Sequence, residues 1–165
     1  MKKYVDFDGV IFDTEKLLFD ENYYKAMLKK DFDKVRYLQS INWYNLIKNS
    51  KEINDSLSIL RELREVIILT KINSLDNEGI AKIRILRELD IKNDIILVPF
   101  NLKKTDVVDA KNNILVDDAV YNLDDWSKDG GRPIFFNKDN KDIDEWGVVN
   151  TKYKKIKSLD CLNIL

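Results

Sequence analysis

The sequence predicts an α/β fold, a Rossmann-like doubly wound parallel sheet with a small helical insertion after the first strand. Short apolar runs alternate along the chain with segments of helical periodicity, and most of these runs are apolar at every position, as in strands covered on both faces. The connection after the first run is much longer than a strand–helix–strand unit requires. A length of 165 residues fits one domain with a modest insertion.

The apolar runs are the predicted strands. A short sixth strand, at residues 148–149, is predicted beside five clearer ones. The five lie at residues 4–7, 66–69, 95–98, 114–116 and 134–136.

Three segments between these runs are predicted to be helices. Residues 51–65 carry apolar side chains at helical spacing. Residues 76–89 do the same, and the predicted apolar face contains Ile80, Ile83, Leu86 and Leu89. A helix over residues 121–128 is predicted to end before the two glycines at 130–131, because glycine commonly stops a helix.

The long first connection is interpreted as an insertion that covers the carboxyl edge of the sheet. Residues 14–49 are predicted to form two extra helices, a small cap, and residues 1–13 and 50–165 to form the core. Seven aromatic residues fall between positions 15 and 48. We expect about five of them to be buried between helices.

Composition excludes several classes of function. Lys and Arg total 28 and Asp and Glu total 29, a net charge of −1, so the chain lacks the basic surface of a nucleic-acid polymer binder. The absence of histidine excludes Ser-His-Asp triads and His-liganded zinc. The single cysteine, Cys161, excludes a disulfide within the chain and is interpreted as a small core residue.

Location and assembly are predicted only coarsely. No apolar run approaches the roughly 20 residues of a membrane span, and Asp6 and Asp8 interrupt any apolar stretch near the first residue. We therefore predict a cytoplasmic protein without a membrane partner, which a lone cysteine also fits. A monomer and a homodimer both remain open.

An acidic motif follows the first predicted strand. Asp6 and Asp8 lie one residue apart, and Gly9 then permits a sharp turn. Open α/β sheets bind their ligands at the carboxyl ends of strands. A helix N-cap explains one aspartate here but not the pair.

A second acidic pair, Asp117 and Asp118, follows the fourth predicted strand. The two pairs are expected to meet at one edge of the sheet, where two like charges about 4 Å apart cost about 4 kcal/mol at an effective dielectric near 20. The cluster therefore requires a cation or protonation. An oxygen-only set of ligands suits Mg²⁺, which also shares its coordination shell with phosphate.

Two further polar residues follow strands. Thr70 comes after the second apolar run, and Lys103 and Lys104 open the segment after the third. A hydroxyl can donate to a phosphate oxygen, and a lysine can offset the charge that carboxylates and phosphate bring together. Each is common as a merely structural residue, so the pattern gains meaning only in combination.

In combination and in this order, these residues resemble the motifs of the haloacid dehalogenase (HAD) superfamily of phosphohydrolases. The matched segments are DFDGV at residues 6–10, ILT at 68–70, Lys103 or Lys104, and LVDD at 115–118. The resemblance extends over about residues 3 to 150. Lys104, followed by Thr105, fits the third motif better than Lys103 does.

The resemblance implies a role for each matched residue. Asp6 would be the nucleophile that forms an aspartyl-phosphate, and Asp8 the acid and base for the leaving group and for water. Asp6, Asp8 through its backbone carbonyl, Asp117 and, in support, Asp118 would hold Mg²⁺. Thr70 and Lys104 would bind the phosphate of a small phosphorylated substrate.

Within the superfamily, the short chain and small cap resemble the 5′(3′)-deoxyribonucleotidase branch, which implies deoxynucleoside 5′-monophosphates as substrates. Trp43 and Tyr44, with Phe19 and Tyr23 behind them, are then candidates for stacking on a base. A phosphatase for another small metabolite and a catalytically silent binding module of the same fold remain open as alternatives. A response-regulator receiver domain is disfavoured, because there the acidic pair precedes the accepting aspartate.

Overall fold

The computed structural model describes residues 1–164, so the last predicted core residue, 165, lies outside the described residues. Six parallel strands form one sheet in the order β3-β2-β1-β4-β5-β6. The strands are β1 Lys3–Val5, β2 Ile67–Ile72, β3 Ile95–Pro99, β4 Ile114–Asp117, β5 Arg132–Phe136 and β6 Lys154–Ile156. The predicted parallel α/β sheet is confirmed.

In the described part of the chain, eight α-helices connect these strands. They are α1 Glu15–Leu18, α2 Glu21–Met27, α3 Lys34–Ser40, α4 Trp43–Asn49, α5 Ser56–Glu62, α6 Ile80–Glu88, α7 Lys104–Val107 and α8 Val120–Lys128. A π-helical turn, Leu75–Gly79, leads into α6, and a 3-10 helix, Leu159–Ile164, follows β6. Among residues 1–164, no helix has the length and apolar character needed to cross a membrane.

The sheet has an apolar core on each face. In β1, Val5 packs into one cluster and Tyr4 into the other, because successive side chains of a strand point to opposite faces. Leu60 of α5 and Leu86 of α6 close the first cluster. Trp126 of α8 closes the second and meets the Tyr4 ring edge to face at 5.4 Å. Helices on both faces explain why the strands are apolar at nearly every position.

The insertion differs from the predicted pair of helices, since residues 14–49 form the four short helices α1 to α4. Asp20, Asp33 and Asn42 each accept a hydrogen bond from a backbone N–H three residues later and so start a new helix. Of the seven aromatic residues, Tyr23 and Trp43 are buried and the others are half-buried or exposed. The expectation of about five was wrong, because short helices enclose little volume.

The end of the chain also differs from prediction. Val148 and Val149 are exposed, and Val149 makes only an isolated antiparallel bridge to Ile143. The sixth strand is instead β6, whose sequence Lys-Lys-Ile is not an apolar run because it lies at the sheet edge. Cys161 is half-buried against the first core cluster.

Candidate active site

Three carboxylates meet where the central strands end. Asp6 follows β1, Asp117 is the last residue of β4, and Asp118 comes next. All three are buried, and each offers a carboxylate oxygen that lies within 4.8 Å of the others. β1 and β4 are adjacent and parallel, so their carboxyl ends bring the two acidic pairs of the sequence to one place.

Gly9 makes room for this cluster. Its φ of +69° lies in the left-handed region, and a Cβ at this position would come 1.9 Å from Asp118 Oδ2. That same oxygen is buried and has no hydrogen-bond partner among residues 1–164. A buried carboxylate oxygen without a donor is costly, which is the situation that a bound cation relieves.

Lys104 supplies positive charge to the cluster. Its Nζ lies 2.6 Å from Asp117 Oδ2 and 3.1 Å from Asp6 Oδ1. Burial opposes a charged lysine, but Asp117 and Asp6 raise the pKa of Lys104 above its ordinary value. Lys103 points to the surface and pairs with Asp125 at 3.0 Å. The geometry therefore favours Lys104 over Lys103 as the lysine of this site.

The donor set fits Mg²⁺. Asp6, Asp117 and Asp118 offer only carboxylate oxygens, the hard ligands that this ion prefers. The Asp8 carboxylate is outside this group, so any contribution of Asp8 would come from its backbone, as the motif resemblance implies. One lysine close to three carboxylates leaves the cluster with excess negative charge, which a divalent cation would offset.

Asp8 is held by two side chains on a different side of the site. Thr14 Oγ1 donates to Asp8 Oδ1 at 2.6 Å, and Lys82 Nζ lies 2.6 Å from Asp8 Oδ2. Both oxygens of Asp8 therefore have a defined partner, while 24% of its side chain remains exposed. An exposed but oriented carboxylate can reach a bound ligand.

Lys82, on α6, is a site residue that sequence reasoning missed. Its side chain is fully buried, and beyond Asp8 its Nζ contacts Glu78 Oε1 at 2.8 Å, Lys71 O at 2.9 Å and Thr70 Oγ1 at 3.0 Å. The carboxylates raise its pKa although burial opposes this. The four-residue spacing from Glu78 was a usable signal.

The predicted apolar face of α6 was only partly right, since Leu86 is buried but Ile80 is not. The prediction placed Ile80, Ile83, Leu86 and Leu89 inward, but Ile80 is 55% exposed. The π-helical turn Leu75–Gly79 rotates the following residues, and the buried face of α6 includes Lys82.

Thr70 lies near the cluster without reaching the open cavity. It is the fourth residue of β2 and not the last, since β2 continues to Ile72. Its hydroxyl is fully buried, donates to Lys71 O and accepts from Lys82. Thr70 therefore contacts Lys82, and Lys82 in turn contacts Asp8.

A cavity of about 290 Å³ opens on the site. Asp6, Asp8 and Asp118 line it, and on the helical side Phe19 and Trp43 line it as well. Tyr23 and Tyr44 do not. Tyr23 packs against other insertion aromatics, and Tyr44 donates to Glu88 at the surface. The structure brings two of the four candidate stacking residues to the cavity.

Three acids of the cavity hold their protons to a higher pH than usual. Burial, with Asp117 and Asp8 nearby, raises the pKa of Asp6 to about 6. Burial and Asp8 raise the pKa of Glu15 to about 8, and burial and Glu15 raise the pKa of Asp118 well above its ordinary value. Glu15 Oε2 is buried, and no described residue forms a hydrogen bond with it.

These shifts predict that the metal-free protein loses stability as pH rises. The folded state keeps protons that the unfolded chain has already released, so the unfolding free energy falls as pH passes through the folded-state pKa values. We expect a loss of order 2 kcal/mol between about pH 5.5 and about pH 8. Chemical denaturation in EDTA at both pH values measures it.

The control is a matched pair of substitutions. Glu15→Gln is expected to weaken the pH dependence, because it removes one of the acids concerned. Glu62→Gln, on the exposed side of α5, is expected to leave it unchanged. A metal-free protein that becomes more stable between these pH values would contradict the expected charge state of the cavity.

Comparison with known proteins finds likeness in structure and not in sequence. No family model matches the chain, and no curated protein sequence matches it. D,D-heptose 1,7-bisphosphate phosphatase from Burkholderia thailandensis has a TM-score of 0.58 at 14% identity, covering 99% of this chain and 97% of that one. The putative HAD-hydrolase YfnB from Bacillus subtilis, solved with magnesium, has a TM-score of 0.60 at 12% identity, covering 99% and 96%.

A third structure, D,D-heptose 1,7-bisphosphate phosphatase from B. bronchiseptica complexed with magnesium and phosphate, has a TM-score of 0.58 at 13% identity, covering 98% and 96%. These likenesses extend over nearly the whole of each chain. The protein therefore has the Rossmann-like α/β fold of the HAD hydrolases.

Proposed function

We propose that this protein is a Mg²⁺-dependent phosphomonoester hydrolase that acts through an aspartyl-phosphate on Asp6. The observation that carries the proposal is the meeting of Asp6, Asp117 and Asp118 within 4.8 Å, beside Lys104 and on a cavity that Asp8 also lines. This arrangement supplies a nucleophile, a cation site and a proton-transfer group to one small ligand.

Asp6 is oriented for attack by contacts to one of its oxygens. Oδ1 accepts a hydrogen bond from the Phe7 backbone N–H at 2.7 Å and pairs with Lys104. Oδ2 is then the oxygen that forms the bond to phosphorus while the ester P–O bond breaks. With a pKa of about 6, Asp6 is mostly ionised at neutral pH even before a cation is added.

Asp8 moves the protons of both half-reactions. It would act first as the acid for the leaving alcohol oxygen and later as the base for the water that attacks phosphorus. Because both of its oxygens accept from Thr14 and Lys82 in the ligand-free protein, the first role requires Asp8 to take up a proton when the substrate binds. That second attack breaks the bond to Asp6 and releases inorganic phosphate. Thr14 and Lys82 fix the Asp8 carboxylate by its two oxygens, so that it faces the cavity in one orientation.

Asp6, Asp117, Asp118 and the backbone carbonyl of Asp8 would hold Mg²⁺, and Lys104 is assigned to the phosphate. Thr70 would reach the phosphate only if its hydroxyl, which donates to Lys71 O and does not line the cavity, turned away from that carbonyl. The bound ion supplies charge stabilisation to the phosphoryl oxygens. Asn122 donates to both oxygens of Asp117 at 3.2 and 3.1 Å and the Ala119 N–H donates at 2.9 Å, which orients that ligand.

Residues 14–49 are proposed as the cap, and deoxynucleoside 5′-monophosphates as the substrates. The cavity volume of about 290 Å³ is near the lower limit of the volumes found for ligand-binding sites, which fits a small phosphate monoester. Aromatic side chains in its wall support a substrate that carries a planar ring.

The test is phosphate release from deoxy- and ribonucleoside monophosphates and from small sugar phosphates, all with Mg²⁺. Preference for deoxynucleotides supports the nucleotidase assignment. Phosphate release from only another monoester of the panel supports the same mechanism with a different substrate. A chain that binds these compounds but releases phosphate from none would be a silent binding module.

Removal of the metal is expected to abolish activity. Phosphate release should disappear in EDTA and return when excess Mg²⁺ is added. The unfolding free energy should also rise with Mg²⁺, by about 2.7 kcal/mol at a concentration one hundred times Kd. Asp118→Asn should weaken this stabilisation, and full activity in excess EDTA would rule out the metal site.

A further inference from the structure

Three large aromatic side chains surround the mouth of the cavity from the core side. Phe100 follows β3, Tyr121 lies in the first turn of α8, and Trp146 lies in the connection between β5 and β6. They are 46%, 48% and 45% exposed, and all three line the cavity that contains Asp6. Large apolar side chains exposed together at one cavity mouth mark a candidate ligand-binding surface.

Tyr121 and Trp146 are held side by side by a buried aspartate. Their rings meet edge to face at 5.9 Å with an interplanar angle of 79°. Asp144 accepts from the backbone N–H of Trp146 at 3.0 Å and from that of Val120 at 3.2 Å. Asp144 is 6% exposed, so it ties the loop that carries Trp146 to the start of α8 from within the protein.

Two aromatic residues of the insertion, Trp43 and Tyr44, are not available to a ligand in the cavity. Trp43 is 2% exposed, donates its Nε1 hydrogen to Leu38 O, and has the Lys82 ammonium 5.8 Å from its ring. Tyr44 faces Arg84, whose guanidinium carbon lies 4.4 Å from the ring centroid. Trp43 is too deeply buried and Tyr44 does not line the cavity, so neither ring is placed to stack on a ligand there, whereas Tyr121 is exposed at the mouth even with Lys71 Nζ 5.9 Å from its ring centroid.

We infer that Tyr121 and Trp146 determine specificity by stacking against a planar aromatic group in the alcohol part of the substrate, such as a nucleobase. This inference rests on the proposed function. It assigns recognition of the planar ring to Tyr121 and Trp146 of the core and not to the aromatic residues of the insertion. An aromatic–base contact is expected to tighten binding about tenfold relative to the same phosphate without a ring.

The experiment uses Asp6→Asn protein with Mg²⁺, so that ligands bind without turnover. Calorimetry compares deoxyadenosine 5′-monophosphate with deoxyribose 5-phosphate, which lacks the base. We expect the nucleotide to bind about tenfold more tightly, and Trp146→Ala or Tyr121→Ala to remove most of that difference. Affinity for deoxyribose 5-phosphate should stay unchanged in both variants.

Two further variants serve as controls. Tyr24→Ala removes a ring that is 56% exposed but does not line the cavity, and it should leave both affinities unchanged. Trp146→Phe should keep the preference for the nucleotide. It should also lose most of the fluorescence quenching that the nucleotide causes, because Trp146 is exposed at the cavity mouth while Trp43 and Trp126 are buried.

Two outcomes would overturn the inference, and they are distinguishable. In the first, wild type releases phosphate in an Asp6-dependent manner, but Trp146→Ala and Tyr121→Ala keep the same ratio of affinities for the nucleotide and for deoxyribose 5-phosphate. The stacking role of Tyr121 and Trp146 is then wrong and the proposed function stands. If neither ligand binds and wild type releases no phosphate from any tested monoester, both are wrong.

Discussion

Asp6→Asn is expected to reduce phosphate release by a factor of about 10³ or more while the protein remains folded. The amide is nearly the same size as the carboxylate and still accepts the Phe7 N–H hydrogen bond with Oδ1. It is a poor nucleophile, so the aspartyl-phosphate cannot form. Steady-state phosphate release with Mg²⁺ measures the loss.

The same substitution should leave the metal-free protein at least as stable as wild type. Burial and the neighbouring acids raise the pKa of Asp6, which means that its charge is unfavourable in the fold. Asp76→Asn is a suitable control, since Asp76 is exposed outside the cavity and should keep full activity. Turnover by Asp6→Asn within tenfold of wild type would refute the assignment of the nucleophile.

Lys82→Met is expected to destabilise the protein by about 3–5 kcal/mol, because it leaves a buried partner charge uncompensated. Glu78 is 2% exposed at its side chain and loses its ion pair at 2.8 Å. Asp8 and Thr70 lose a donor in the same change. Urea unfolding with and without the substitution measures the difference in unfolding free energy.

The chain contains a matched control for this change. Lys25 pairs with Glu21 at the same four-residue spacing, at 2.6 Å, but on the surface with side chains 68% and 81% exposed. Lys25→Met should cost less than about 1 kcal/mol, since exposed ion pairs contribute little.

A second variant tests the cause. Glu78→Gln combined with Lys82→Met should recover part of the loss, because a neutral amide can still accept from the Asn73 backbone N–H at the Oε2 position. If Lys82→Met costs no more than Lys25→Met, the buried network does not stabilise the fold.

The sequence was sufficient for the parts of the site that follow strands. Parallel strands end at one edge, so Asp6 and Asp117 could be placed together from their positions after apolar runs. The motif resemblance favoured Lys104 over Lys103 as the lysine of this site. In the structure Lys104 is buried beside Asp6, whereas Lys103 is exposed. These inferences need only the order of the predicted strands and helices and the positions at which the strands end.

The parts that depend on helix rotation or on loops could not be predicted. Lys82 lies on the buried face of α6, which begins directly after a π-helical turn, and the apolar spacing of the sequence indicates neither the turn nor a buried lysine. Tyr121 and Trp146 meet because Asp144 joins two distant segments. Long-range contacts of this kind leave no periodic signal in the chain.

The position of β1 has a consequence for folding kinetics. The first strand lies in the middle of the sheet, and its pairing of Lys3 with Ile114 joins residues that are far apart in the chain. The chain between them loses conformational entropy when the two strands meet, before the new contacts compensate the loss. This pairing is therefore expected to be slow. Because Asp6 follows β1 and Asp117 ends β4, the acidic site can assemble only when that pairing forms. If the chain binds metal as proposed, recovery of that binding during refolding would report the late pairing of β1 with β4 and not the formation of any single strand–helix unit.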